Sequence, residues 1–176
     1  QNSILVHQKA LKPFLDLKTE AAKQGFDMCI CSGFRSFDRQ MLIWNQKLLG
    51  ERPVIDELGD PINMPQLDPW QQIQAVLRWS ALPGTSRHHL GSDVDVYDAH
   101  AMPEGYQIQL TTDECEGDGV FAPMHEWLSS VFIKGQECSK GFYRPYAVDR
   151  GGVSPEPWHI SYAPISNSCA QQLTTD

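Results

Sequence analysis

Ser86-Arg87-His88-His89-Leu90-Gly91-Ser92-Asp93-Val94-Asp95-Val96-Tyr97 holds both the clearest strand signal in the chain and its densest group of metal-binding side chains. From Ser92 to Tyr97 the residues alternate, which places Val94 and Val96 on one strand face, toward the core, and Asp93, Asp95 and Tyr97 on the other. His88 stands seven residues before Asp95, and Gly91 between them lets the backbone reverse, so both side chains can face one point. A catalytic zinc takes three protein ligands from His, Asp, Glu or Cys and keeps one position open. This stretch supplies two.

The third must come from elsewhere. Glu156-Pro157-Trp158-His159 offers it, because a His stands there close to a carboxylate able to take a proton from an attacking water. In a straight strand Glu156 and His159 would point to opposite faces. Both reach one site only if Glu156 sits in the loop before a strand running from about Trp158 to Tyr162, with Pro157 turning the chain. Upstream, Phe26, Met28 and Ile30 alternate with Asp27, Cys29 and Cys31 as a half-buried strand leading into the turn Ser32-Gly33-Phe34-Arg35-Ser36. That turn delivers Arg35, a fixed cation suited to the negative charge that develops on a carbonyl oxygen during hydrolysis.

Around these blocks the periodicity is helical. Ala10, Phe14, Leu17 and Ala21 make one stripe of a helix ended by Gly25, with Pro13 in its first turn or at a kink. Ser36 caps a helix to about Leu49, with Met41, Trp44 and Leu48 on one face and Gln40 near its start. Asp68, Pro69 and Gln71 announce a third helix carrying Ile73, Val76, Leu77 and Ser80 on one face and ended by Pro83-Gly84. Met124, Trp127, Leu128 and Val131 outline a further helix, and the tail after Tyr162 a short one. Residues 51–67 and the acidic stretch from Asp98 to Gly119 show neither period and read as loops. Without repeat or linker, residues 1–176 are expected to form one domain with its core at about 26–162.

The 176 residues suffice for a core without disulfides. A formal net charge of -8 argues against a phosphate-backbone partner, so no nucleic acid is expected. No apolar run has the length of a membrane span. Cys29, Cys31, Cys115, Cys138 and Cys169 are odd in number and lack zinc-ribbon spacing, which leans the expected compartment toward the cytoplasm. A removed signal would equally put the protein in the cell envelope. His7, His89, His100 and His125 are read as ordinary surface or core residues.

Ser86-x-His88-x-x-Gly91-x-x-x-Asp95, followed far downstream by Glu156-x-Trp158-His159, resembles the signature of the D-alanyl-D-alanine carboxypeptidases and dipeptidases, the zinc group that includes the vancomycin-resistance peptidases. The wider group extends to lysostaphin-type enzymes and the hedgehog signalling domain. The resemblance implies an α+β fold, a small central antiparallel sheet flanked by helices. It implies one Zn2+ per chain on His88, Asp95 and His159, Glu156 as general base, Arg35 on the reacting carbonyl, and Gln40, Ser86 and Trp158 beside the substrate. It also implies action before a terminal D-amino acid in peptidoglycan stem peptides; the chain itself is expected to be a monomer. This chain departs from the pattern at Asp93, where the family usually has a small apolar residue, and an acid there either orients a ligand His or alters the metal preference. The long loops depart too.

Three other readings stay open at the level of sequence. An endopeptidase on the same polymer shares every motif. A non-catalytic zinc module that binds cell-wall peptide has no use for Glu156 and would leave every muropeptide intact. A glycosyltransferase with the metal-binding Asp93-Val94-Asp95 would leave His88 and His159 unexplained and would need manganese and a nucleotide sugar.

Overall fold

The computed structural model describes residues 3–56 and 59–172. Four strands, β1 (Met28–Ser32), β2 (Asp93–Asp98), β3 (Phe142–Tyr143) and β4 (His159–Tyr162), form one antiparallel sheet in the order β1-β2-β4-β3. Helices α1 (Gln8–Ala22), α2 (Phe37–Leu48), α3 (Pro69–Leu77), α4 (Thr112–Cys115), α5 (Ala122–Ile133) and α6 (Ala163–Ala170) accompany it. This is the α+β architecture with a small antiparallel sheet that the resemblance implies.

The main core follows from the predicted stripes. Ala10, Phe14, Leu17 and Ala21 of α1 are buried together with Val94 and Val96 of β2, Ile160 of β4, and Met124, Leu128 and Val131 of α5. Because α1 contributes its whole apolar face, the core starts well before residue 26. Pro13 lies inside α1, beyond the first turn. Two helices begin as their caps dictate: the Ser36 side chain accepts from the Arg39 amide at α2, and Asp68 and Gln71 complete a reciprocal capping box at α3.

Four expectations are corrected. The inward face of α2 is Gln40, Ile43 and Trp44, while Met41 is exposed. A polar residue takes the inward position because both ends of its amide are bonded there. Residues 51–67 are not merely a loop: Val54 and Met64 join Trp44 and Val76 in a second apolar cluster, and Met64–Gln66 make a 3-10 turn. α3 stops at Leu77, short of Pro83-Gly84. Within the acidic stretch, Thr111 and Glu114 form a capping box that starts α4. β3 is an addition, two residues long and so too short to display a period of two. Among the described residues, no helix is long and apolar enough to cross a membrane.

Candidate metal centre and active site

β2 and β4 run side by side with Asp95 opposite His159. His88 lies on a 3-10 turn, Arg87–Leu90, that ends at Gly91 with φ 66, a left-handed position that suits glycine. The His88 Nδ1 is 2.9 Å from the Gly33 carbonyl oxygen, which can only accept, so the proton sits on Nδ1 and the Nε2 lone pair faces Asp95 Oδ2 at 3.3 Å. His159 Nε2 is 3.0 Å from Asp93 Oδ1, which turns Nδ1 toward Asp95 Oδ1 at 3.2 Å. One donor atom from each of His88, Asp95 and His159 lies within 4.8 Å of the others, and all three residues are buried.

Two observations test whether this trio fits a metal. Asp95 Oδ1 is buried and no donor is aligned with it, an arrangement costly for a carboxylate oxygen unless a cation lies among the lone pairs. Two imidazole nitrogens and one carboxylate oxygen are also a ligand set that catalytic zinc uses. Burial works against ionised Asp95, and the two imidazoles more than reverse it, holding the carboxyl far below its usual range. Burial likewise disfavours charged His159, but Asp93 and Asp95 outweigh it and raise that imidazole to about 10. The Nδ1 lone pair therefore holds either a proton or a metal.

Glu156 reaches the same point through a turn. The His159 amide donates to the Glu156 carbonyl at 3.1 Å across Pro157 and Trp158, and Arg144 Nε donates to the Pro157 carbonyl at 2.7 Å. The change of direction sets Glu156 Oε2 3.4 Å from His159 Nδ1, on the face that a straight strand would deny it. Burial is the main reason that its carboxyl is raised to about 7; Asp95 adds to the shift, while His159, Lys47 and Arg35 oppose it. Arg35 is held by donating from Nη1 to Gln40 Oε1 at 2.8 Å and from Nη2 to Ser32 Oγ at 3.1 Å. A break in the β1–β2 register between Ile30 and Ser32 redirects the chain into this turn. Residues before α1 lie across both turns: the Phe34 amide donates to the Leu5 carbonyl, the His7 amide to the Gly91 carbonyl, each at 2.7 Å. A Cβ on Gly33 would stand 2.5 Å from the Leu5 oxygen, so this approach requires glycine. Arg35, His88, Asp95, Glu156, Trp158 and His159 all line one cleft of about 710 Å³.

The model of the VanY family, D-alanyl-D-alanine carboxypeptidase, matches residues 3–165. The chain belongs to the VanY family. It is 27% identical over 162 residues to a D-alanyl-D-alanine carboxypeptidase of Enterococcus faecalis, a match covering 88% of this chain and 47% of the relative. An uncharacterised protein of Haemophilus influenzae is 51% identical over 74 residues, 42% of this chain and 51% of that protein. The chain thus spans about half the length of these two relatives. Among solved structures, a variant of the vancomycin-resistance D,D-pentapeptidase VanY in complex with Zn(II) shares the fold, with a TM-score of 0.62 at 24% identity over 98% of this chain and 82% of that one.

Relative to the VanY pattern stated above, the acid at position 93 has a defined place. Asp93 is fully buried; its Oδ1 accepts from His159 Nε2 and, at 2.8 Å, from Arg87 Nε, and its Oδ2 accepts from Ser92 Oγ at 2.7 Å. Arg87 Nη2 continues to Tyr143 Oη and Ser161 Oγ. Of its two sequence alternatives, the geometry is that of a residue orienting a His. Arg87 was missed by sequence reasoning, although an opposite charge six residues before Asp93 was visible. Gln40, expected beside the substrate, is fully buried behind Arg35, and its Nε2 donates to the Ala81 carbonyl, so both ends of its amide are used. Ser86 and Trp158 are nearly buried and line the cleft. His89 is not free surface: its Nδ1 is 2.6 Å from the Arg35 carbonyl oxygen and its Nε2 accepts from the Gly84 amide. His125 is core, with Nδ1 3.3 Å from Arg144 Nη2. All five cysteines are unbridged, and burial pushes the Cys31 thiol up to about 12.

Proposed function

We propose that this VanY-family chain is a zinc carboxypeptidase that hydrolyses the bond before a C-terminal D-amino acid, D-alanine, in peptidoglycan stem peptides. The observation that carries the reading is the meeting of three buried ligand atoms with the Glu156 carboxylate, 3.4 Å from His159 Nδ1, in one cleft beside Arg35. Zinc on His88 Nε2, Asp95 and His159 Nδ1 would polarise the scissile carbonyl and acidify the attacking water.

The remaining steps belong to the chain's own side chains. Glu156, raised toward neutral pH by burial, accepts the proton of the attacking water and returns it to the leaving amine. Arg35, immobilised by Gln40 and Ser32, meets the negative charge that grows on the carbonyl oxygen. Ser86 and Trp158 form part of the wall against which the peptide lies. A binding module without turnover would gain nothing from a buried carboxylate held next to the ligands, which favours the enzyme.

The test is elemental analysis of the purified protein together with mass-spectrometric detection of D-alanine released from a stem pentapeptide and a stem tetrapeptide. Stoichiometric zinc, release abolished by chelator and by Glu156→Gln, and preference for one peptide establish the peptidase and its D,D or L,D stereochemistry. Internal cleavage without release of D-alanine makes it an endopeptidase instead, and zinc without any cleavage overturns the enzymatic reading.

A further inference from the structure

Besides Arg35, three cations line the cleft: Arg87, whose guanidinium is paired with Asp93, and Lys47 and Arg52. Lys47 follows Gln40 and Ile43 on the inward face of α2, at spacings that keep the three on one side of the helix. Its Nζ donates to Ser80 Oγ at 2.8 Å, a neutral acceptor whose own hydroxyl is spent on the Trp79 carbonyl. The Arg52 amide donates to the Gln46 carbonyl, which folds the chain back and sets Arg52 beside the end of α2. Among the described residues, neither Lys47 nor Arg52 has a carboxylate within ion-pair distance.

That arrangement is costly on its own. A half-buried ammonium is normally matched by a carboxylate, and Lys47, left with a hydroxyl partner, recovers little of the hydration it gives up. Burial lowers Lys47 to about 8, with Arg52 pressing the same way and Glu156 opposing. Service to the end of α2 does not account for it, since the carbonyls of Asn45, Gln46 and Lys47 are met by the amides of Leu49, Arg52 and Gly50. An unmatched pair of cations inside a substrate cleft is matched when an anion enters.

We propose that Lys47 and Arg52 form an anion subsite of the cleft that takes a carboxylate of the peptide substrate, separate from the reacting carbonyl that Arg35 faces. The inference rests on the peptidase reading above. A stem peptide offers two such groups, the terminal carboxylate of the leaving residue and the side-chain carboxylate of a diamino acid before the terminal alanines.

Four stem pentapeptides separate the sources: lysine or meso-diaminopimelate at the third position, each with a C-terminal free acid or amide, given to the zinc-loaded full chain. Removing the bound carboxylate should lower kcat/KM about 10–100-fold, chiefly through KM, as expected for losing a charge-assisted contact. An effect in the acid and amide pair assigns the terminal carboxylate, and one in the diaminopimelate and lysine pair assigns the side chain. Lys47→Met and Arg52→Gln, read independently in case one folds poorly, should bring that ratio close to one. If the wild type discriminates in neither pair, if both variants keep its discrimination, or if their KM rises equally for all four peptides, the subsite is overturned while the peptidase stands. Turnover of none of the four by zinc-loaded protein overturns the peptidase and the subsite together.

Discussion

Asp93 Oδ1 lies 3.0 Å from His159 Nε2 and so grips, from behind, the imidazole whose other nitrogen faces Asp95. Burial works against the ionised Asp93 carboxylate, but His159 first and then Arg87, whose Nε meets the same oxygen, outweigh it and hold the carboxyl below its usual range. Asp93→Asn keeps the shape and removes the charge. Zinc affinity, measured by competition with a chromogenic chelator, should fall about 10–100-fold, the usual cost of losing such a support. Undiminished affinity would reduce Asp93 to a packing role.

Glu156→Gln leaves all three ligands in place, so the variant should retain stoichiometric zinc by elemental analysis. Its kcat should fall about 10²–10⁴-fold, the span of general-base contributions. Loss of zinc with activity would mean that Glu156 supports the ligand His159 rather than the proton transfer.

Arg35 uses both arms of its guanidinium, one on Gln40 and one on Ser32. Lysine has a single point of attachment and cannot be held in that way. Arg35→Lys should lower kcat about 10²–10³-fold, comparable with losing an oxyanion donor, with zinc content unchanged. Steady-state kinetics on the preferred stem peptide decide it, and a change confined to KM would move Arg35 from the transition state to substrate binding.

His125 gives the fold a pH dependence. Burial, with the Arg144 guanidinium beside it, lowers its imidazole to about 3, whereas in the unfolded chain it titrates near 6.5. Between those values the unfolded chain binds the extra proton, so this contribution to stability is intact above about pH 6.5 and is lost as the pH falls. The loss is about 2 kcal/mol by pH 5. Thermal melts at pH 7.5 and pH 5 should show a larger drop for the wild type than for His125→Phe; equal drops would place the sensitivity elsewhere.

Strong local signals translated directly. The alternation of Val94 and Val96, the cap at Ser36 and the box of Asp68 with Gln71 each act within a few residues, so sequence alone reveals them. The pairing of His88, Asp95 and Glu156 with His159 was legible because metal chemistry restricts residue type as well as spacing. What escaped depends on residues brought together from afar. Gln40 looked like a cleft residue until Arg35 and the Ala81 carbonyl claimed its amide. Arg144 carried no local signal, yet it pins the Pro157 carbonyl at the turn that positions Glu156. Val54 and Met64 lacked a period because they reach their cluster from irregular backbone.

The clasp of Leu5 on Phe34 and of His7 on Gly91 ties the metal ligands to a stretch more than 80 residues upstream of the nearer one, His88. His159 joins across the central strand pairing of the sheet, β2 with β4. Contacts so distant along the chain carry a loop-closure cost that local ones do not. On the zinc reading proposed above, metal capture would report on completed folding: a chain whose upstream stretch had frayed would present misaligned donors, and zinc uptake would sort finished molecules from unfinished ones.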